Sequence, residues 1–284
     1  MVEDRHGRGG ERRPRPSSGG SQRRGPRNER EAPWSGPGRA RPVQPQGTPP
    51  DGERTPRPAH EGPPIPPDVD ARQLAPEIRR ELSTLDRATA DTVARHLVAA
   101  GQLLDDDPEA ALSHARAARA RASRIAAIRE AVGIAAYRCG DWGQALSELR
   151  AARRMGSKSA LLALMADCER GLGRPERAVE LARGPEAAQL TGDDADELRI
   201  VAAGARADLG QLEQALALLS APQLDPNRSG STAARLFYAY ADTLLALGRN
   251  DEALQWFLHS AAADVEGITD AEDRVDDLGS AEKT

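Results

Sequence analysis

The residue types in this chain that are best suited to metal or nucleophilic chemistry are histidine and cysteine. The histidines are His6, His60, His96, His114 and His259, and the cysteines are Cys139 and Cys168. Their spacing matches neither the HExxH pattern of zinc peptidases nor a four-ligand zinc site, and the chain has no GxxxxGK phosphate loop. We therefore expect no catalytic residue, no metal and no cofactor.

Two pairs of these residues fall on neighbouring elements. His96 and His114 lie on successive predicted helices and could meet, and Cys139 and Cys168 are 29 residues apart on equivalent helices. No cluster of cations surrounds the cysteines in the sequence, so nothing there would lower a thiol pKa. For both pairs we favour a packing role over a chemical site.

Most of these residues lie in a segment with a helical sequence pattern. From about Leu82 to Ala263, alanine and leucine recur with a helical period, and no sustained alternation of β-branched residues is present. The predicted fold class is all-α. The longest apolar runs, such as 161–166, fall far short of the roughly 20 residues of a membrane-spanning helix, and the first residues lack the apolar core of a signal peptide. We expect a cytoplasmic protein that does not enter a membrane.

Four short strings repeat along the helical segment. They are CGDWGQAL from Cys139, GLGRPERAV from Gly171, DLGQLEQAL from Asp208 and ALGRNDEAL from Ala246. Each contains a glycine followed five residues later by an alanine, at spacings of 33, 37 and 38 residues between units. The pairs are Gly140 and Ala145, Gly173 and Ala178, Gly210 and Ala215, and Gly248 and Ala253. A related string, LDDDPEAAL from Leu104, has Asp106 in the glycine position and brings the number of units to five.

Each unit has the pattern of a helical hairpin. The glycine can close the first helix in the left-handed conformation, and the alanine lets the second helix pack closely against the first. One hairpin cannot bury its apolar face alone, so the units are expected to stack into a solenoid. The two longer spacings predict a longer helix or loop near residues 184–194 and 222–230.

The strings GDWGQAL and GRNDEAL resemble the turn and second helix of the tetratricopeptide repeat (TPR) family, with Trp142 in the aromatic position after the turn. The resemblance covers about residues 82–263, although the family's first-helix tryptophan and tyrosine and its closing proline are mostly missing. It implies a right-handed solenoid of about five hairpins. It also implies that the first helices line a concave groove that holds a segment of a partner protein.

The family pattern, carried over by counting back from each turn glycine, assigns groove positions to this chain. They are Glu130, Ile134, Tyr137, Ala163, Asp167, Arg170, Glu197, Ile200, Asp208, Arg235, Tyr238 and Asp242. The Lys and Asn clamp that some members use for a C-terminal carboxylate is not reproduced. The carboxylates in the set predict a preference for a basic partner segment, and ordinary solvated helix faces remain the alternative interpretation.

The two ends of the chain differ sharply in charge. Residues 1–66 contain 13 arginines, no lysine and eight acidic residues, and 15 of the 21 prolines lie within residues 1–67. We interpret residues 1–67 as a disordered arm, 68–263 as the solenoid and 264–284, which has eight acidic and two basic residues, as a cap or tail.

The sequence favours a non-catalytic adaptor that binds protein segments in the groove. The alternative is an RNA- or ribosome-associated factor in which the arginine-rich arm contacts RNA. The arm could instead fold back onto the acidic groove or tail, and the sequence leaves this choice, the partner's identity and the oligomeric state open.

Overall fold

The computed structural model describes residues 62–157 and 160–281, and within these ranges the chain forms helices and no strand. Most of the predicted arm, residues 1–61, lies outside the described residues, as do Lys158, Ser159 and residues 282–284. The described α-helices are α1 Pro76–Leu82, α2 Arg87–Gln102, α3 Pro108–Arg121, α4 Ala126–Arg138, α5 Trp142–Arg154, α6 Leu162–Gly171, α7 Pro175–Ala182, α8 Gly192–Asp208, α9 Leu212–Leu219, α10 Ser231–Ala246, α11 Asn250–Ala263 and α12 Ala271–Ala281.

Ten of these helices pair into five consecutive hairpins: α2 with α3, α4 with α5, α6 with α7, α8 with α9 and α10 with α11. We call the first helix of each hairpin its A helix and the second its B helix. Each hairpin also packs against the next one along the chain, and α12 packs against α11. The prediction of an all-α solenoid of helical hairpins is confirmed.

The turn between the A and B helices has the same hydrogen bonds in four of the hairpins. In the second hairpin, Gly140 has a φ of +72°, its N–H donates to the Tyr137 carbonyl (3.0 Å), and the N–H of Asp141 donates to the Ala136 carbonyl (2.9 Å). The same two bonds recur around Gly173, Gly210 and Gly248, which all have positive φ. Glycine is favoured here because a Cβ atom is strained in this conformation.

The first hairpin closes without a glycine. Its A helix ends at Gln102, and residues 103–107 make a longer turn. The side chain of Asp107 then accepts a hydrogen bond from the backbone N–H of Ala110 (3.0 Å) and caps α3. This cap satisfies one of the free N–H groups at the helix start, which is why an aspartate-rich turn can replace the glycine turn.

Small residues set the distance between the two helices of a hairpin. The alanine five residues after each turn glycine, at 145, 178, 215 and 253, has no exposed surface. On α4, a Cβ atom added to Gly133 would lie 2.7 Å from the side chain of Leu149 on α5. The Leu149 side chain therefore packs directly on the Gly133 backbone, and a side chain at position 133 does not fit at this crossing.

The two stretched repeats have short B helices. Helices α7 and α9 contain eight residues each, whereas α5 has 13 and α11 has 14. The residues that these helices lack, together with the additional residues of the repeats, lie in the connections 183–191 and 220–230. Both connections occur where the longer spacings predicted a longer helix or loop.

Both ends of the described solenoid are covered by additional chain. Ile65 and Val69 pack into the apolar cluster of the first hairpin, so residues 62–67, which the sequence analysis placed in the arm, contact the solenoid. At the other end, Ala271 is buried, and Val275 and Leu278 of α12 pack against α10 and α11. None of the described helices combines the length and the apolar composition needed to cross a membrane.

Candidate functional site

The groove positions assigned from the family pattern all lie on A helices. They fall on α4, α6, α8 and α10, and every one of them is half-buried or exposed. Two of the apolar members, Ile134 and Ile200, are half-buried against the core clusters between the hairpins. The face that these positions share is therefore a half-exposed, mainly polar surface running across successive repeats.

Polar side chains on this face bridge one A helix to the next. The Tyr137 hydroxyl on α4 donates to Asp167 Oδ2 on α6 at 2.5 Å. On α6, Arg170 Nη1 donates to Asp167 Oδ1 at 3.0 Å, and Arg170 Nε donates to Asp208 Oδ2 on α8 at 2.8 Å. Burial and the hydrogen bond to Asp167 raise the pKa of Tyr137 well above its usual value.

The bridging continues towards the C-terminal end. Glu197 on α8 pairs with Arg235 on α10. Asp242 on α10 pairs with Arg274 on α12 (3.0 Å between Oδ1 and Nη2), and the same guanidinium lies 5.3 Å from the centre of the Phe257 ring. We use the name "A-helix ladder" for the members of this chain of contacts, which are Tyr137, Asp167, Arg170, Glu197, Asp208, Arg235, Asp242 and Arg274.

The remaining assigned positions are partnered too. Glu130 accepts a hydrogen bond from the Ser157 hydroxyl (2.9 Å). Tyr238 is half-buried, and its pKa is raised to about 12 by burial and by a hydrogen bond with Asp270. Asp270 and Arg274 belong to the segment predicted to be a cap or tail, so the end of the chain also contributes to this face.

A depression of about 570 Å³ opens beside the ladder at Trp142. Its walls include Trp142, Asp167, Arg170 and Asp208, and the Trp142 ring meets the Tyr137 ring edge-on at 5.2 Å. The family pattern identifies Trp142 as the aromatic residue after the turn, but it does not assign Trp142 to the groove.

Two glycines leave room for the side chains around this depression. A Cβ atom at Gly171 would lie 2.6 Å from the Trp142 indole, and one at Gly204 would lie 2.7 Å from the Arg170 guanidinium. The packing role of both glycines is not visible in the sequence, because the residue that each one accommodates is on a different helix. In GLGR, the first glycine serves packing and the second closes the turn.

The pairing changes the electrostatic character that the sequence suggested. Asp167 and Asp208 share Arg170, so they do not face a ligand as free carboxylates. Glu197, Asp242 and Glu130 likewise have partners. With Asp270 included, six carboxylates and three guanidinium groups of the described residues line the face, so its residual charge is negative but smaller than the carboxylates alone imply.

His6 and His60 lie outside the described residues, and the described histidines and cysteines form packing contacts. His96 and His114 are 2% and 4% exposed and share a hydrogen bond of 3.0 Å between their Nδ1 atoms. Burial lowers the pKa of both, to about 4 for His96, where the neighbouring His114 adds to the effect.

Cys139 and Cys168 are free thiols, and burial raises the pKa of both, to about 12 for Cys168. A thiol with a raised pKa is a weak nucleophile at neutral pH. Within the described residues, no three His, Cys, Asp or Glu side chains cluster closely enough to hold a metal ion.

Stacked hairpins with glycine-closed turns and a polar A-helix face define the class of α-helical repeat proteins to which TPR domains belong. Residues 159–267 match the model of a tetratricopeptide repeat family, which confirms the resemblance to TPR proteins that the sequence predicted. Repeats of this kind are in general scaffolds for protein interaction.

Among solved structures, the chain is similar to YrrB, described as a TPR protein with an unusual peptide-binding site, with a TM-score of 0.44 and 18% sequence identity over 72% of this chain and 98% of that chain. No curated protein sequence matches the chain.

Proposed function

We propose that this chain is a non-catalytic adaptor that holds an extended segment of a partner protein across the A helices α4, α6, α8 and α10. The observation that carries the proposal is the A-helix ladder. Its side chains are half-exposed, come from four successive hairpins and are fixed by each other's hydrogen bonds. A surface that is already ordered loses less side-chain entropy when a partner binds.

The depression beside Trp142 is the best anchor point for such a segment. Trp142 and Tyr137 offer aromatic surface, and Asp167 and Asp208 offer carboxylates next to it. An arginine or lysine of the partner can stack on the indole and donate a hydrogen bond to the carboxylate of Asp208, which is 39% exposed. This contact would replace part of the contact between Asp208 and Arg170.

The residual charge of the face supports a basic partner segment over an acidic one. The carboxylates outnumber the guanidinium groups, and Asp242 at the C-terminal end is also exposed. These charges are solvent-exposed, so they steer and select the partner more than they add affinity, and salt weakens their effect.

The RNA- or ribosome-associated alternative stays a prediction. It depends on the arginines of residues 1–67, and residues 1–61 lie outside the described residues, as does any contact they make with the groove. None of the contacts described above favours RNA over protein as the ligand.

The test is a peptide-display selection on the immobilised full chain, followed by calorimetry with the selected peptides. We expect enrichment of Arg and Lys together with at least one large apolar residue. Asp208→Arg should weaken binding of a selected peptide at least tenfold, because it replaces an exposed carboxylate with a like charge for the partner. Tyr137→Phe should weaken it less, since the aromatic surface remains.

The matched control is Asp251→Arg, which makes the same charge change at an exposed position on the B helix α11. If the wild-type chain, the Asp208→Arg variant and the Asp251→Arg variant all bind a selected peptide equally well, the groove is not its binding site and the proposal is rejected. Selection of acidic peptides would reject the basic partner while leaving the groove in place.

A further inference from the structure

A second concavity lies on the side of α8 opposite to the ladder. It is a cavity of about 310 Å³ between α7, α8 and α9. The ladder residues Glu197 and Asp208 point one way from α8, and the cavity residues at 195, 198, 199, 202 and 206 recur at helical spacing on the other face. The cavity is therefore separate from the proposed protein-binding groove.

The stretched repeats create this cavity. Because α7 and α9 are only eight residues long, they leave part of α8 uncovered where the 13- and 14-residue B helices of other hairpins would continue. The connection 183–191 contributes Gly184, Ala187 and Ala188 to one wall. The end of α9 and the start of the next connection contribute Leu218 and Ala221 to the other.

The cavity is lined by apolar residues and by charged residues of a single sign. Apart from Gly184, the uncharged lining residues are alanine, valine and leucine, and Leu218 is among the more exposed large apolar side chains of the described chain. The charged lining residues are Arg183, Arg199 and Arg206, and none of the described residues that line the cavity is acidic. A positive apolar cavity is unusual in a chain whose net charge is −5.

Arg199 is the central group. Its side chain is only 10% exposed, and Nη2 lies 3.0 Å from Asp196 Oδ1, a carboxylate that Arg228 also engages at 2.6 Å. Its Nε is buried without a hydrogen-bond partner in the described part of the chain. Arg228 has a second carboxylate, Asp193, at 3.3 Å, and Arg199 Nη1 donates to the Pro222 carbonyl at 3.3 Å. Arg199 therefore has only the shared Asp196 as a charged partner among the described residues, and its unsatisfied buried Nε donor is costly for a charged side chain.

The other two arginines leave positive charge uncompensated. Arg206 Nη1 donates to the neutral side chain of Gln214 at 2.8 Å and also to that of Gln211. Within the described residues, neither Arg206 nor Arg183 has a carboxylate within 4 Å, and Arg183 stands exposed at the rim. The cavity therefore attracts anions while its walls favour an apolar body.

We propose that this cavity binds a small organic anion, a single carboxylate on a short unbranched or branched apolar body. The carboxylate would meet the arginines, which bind carboxylates in a bidentate geometry, and the body would lie against Leu198, Ala202 and Leu218. A volume of about 310 Å³ is at the lower end of the range of about 300 to 1,000 Å³ that is usual for small-molecule sites.

The experiment is calorimetric titration of the full chain with octanoate, 1-octanol and octylammonium, which share one apolar body and differ in charge. We expect octanoate to bind at one site per chain and at least tenfold more tightly than 1-octanol, with no binding of octylammonium. N-Acetyl-leucine supplies the same chemistry as a peptide C-terminus. If it binds more tightly than octanoate, the natural source is a chain end, and if more weakly, it is a free fatty carboxylate.

Three variants test the location. Ala195→Phe should abolish octanoate binding by filling the cavity, and Arg183→Gln combined with Arg206→Gln should weaken it at least fivefold. Arg177→Gln is the control, because this exposed arginine of α7 pairs with Glu180 and does not line the cavity.

Absence of octanoate and N-acetyl-leucine binding, or equal affinity for octanoate and 1-octanol, would overturn the proposal. The proposal would also be overturned if the Ala195→Phe variant and the double arginine variant both bind octanoate as tightly as the wild-type chain does. Since the groove lies on the other face of α8, none of these results depends on the proposed adaptor function.

Discussion

The hydroxyl of Tyr137 donates a 2.5 Å hydrogen bond to Asp167 Oδ2, and this bond joins the A helices of two consecutive repeats. Asp167 is also held by Arg170, so the carboxylate keeps a charged partner when the phenol is removed. Removing this bond therefore tests how much one contact of the A-helix ladder contributes to the stability of the solenoid.

Tyr137→Phe should lower the free energy of unfolding by about 1 kcal/mol, the usual net value of one hydrogen bond. Urea unfolding followed by circular dichroism gives the measurement. Tyr240→Phe is the control, because Tyr240 packs on Trp256 at 5.1 Å and its hydroxyl makes no hydrogen bond within the described residues. Equal losses of unfolding free energy in the two variants would mean that the hydrogen bond between Tyr137 and Asp167 contributes nothing specific to stability.

Gly133→Ala tests the close approach of α4 and α5. The added Cβ would lie 2.7 Å from Leu149, whose side chain is fully buried and cannot move away freely. We expect a loss of about 1 to 3 kcal/mol, the range for overpacking in a core. Differential scanning calorimetry measures it as a lower Tm.

Gly101→Ala is the matched substitution for this prediction. Gly101 is exposed near the end of α2, and a Cβ there meets nothing within 4 Å. The change should stabilise the chain by about 0.5 to 1 kcal/mol through the better helix propensity of alanine. A destabilised Gly101→Ala variant, or a Gly133→Ala variant as stable as the wild type, would contradict the packing argument.

Glu148 is a buried carboxylate that ties three helices together. It lies on α5 and pairs with Arg119 of α3 and with Arg129 of α4, the latter at 2.8 Å. Glu148→Gln should destabilise the chain by about 2 kcal/mol, because it removes the charge that two partly buried guanidinium groups share.

The control for Glu148 is Glu252→Gln, which removes a carboxylate from an exposed pair with Arg249. An exposed ion pair contributes little, so the unfolding free energy of this variant should match that of the wild type. If Glu148→Gln is equally neutral, the buried network does not stabilise the junction of the first two hairpins.

The histidine pair predicts a pH dependence of stability. His96 and His114 share one hydrogen bond between Nδ1 atoms, so one ring donates, the other accepts, and the accepting ring is neutral. Burial, with a smaller contribution from His114, lowers the pKa of His96 to about 4, against an ordinary value of 6.5. His114 shifts in the same direction because of its burial.

Acidification from pH 6.5 to pH 4 should therefore protonate these rings in the unfolded chain first and destabilise the fold. The loss is about 3 kcal/mol for the shift of His96, at about 1.4 kcal/mol for each pKa unit. Replacing both histidines with leucine should flatten this part of the curve, whereas His259→Gln should keep it. A curve of unchanged slope in the double variant would exclude the pair as the source.

The repeat and its turn can be predicted from the sequence. Glycines at 140, 173, 210 and 248, each followed by an alanine at a fixed distance, were enough to predict helical hairpins, because a left-handed helix end needs glycine and a close crossing needs a small side chain. The long spacings also located the two irregular connections. These features depend on residues that are close together in the sequence, so a sequence pattern is enough to predict them.

The tertiary structure alone decided which charges meet. Arg170 is three residues from Asp167 but 38 from Asp208, and Arg274 reaches Asp242 from a segment that the sequence marked only as a cap or tail. Helical periodicity assigns a residue to a face, but the packing of whole hairpins sets which residues of two faces come together. The pairing of the groove carboxylates therefore could not be derived from composition.

The same reason applies to the cavity behind α8. The spacing of 37 and 38 residues predicted additional chain, but not that α7 and α9 would stop at eight residues and leave α8 uncovered. Arg183, Arg199 and Arg206 appear in the sequence as scattered helix-surface charges. Only the way in which the shortened B helices pack on α8 brings them to one apolar cavity.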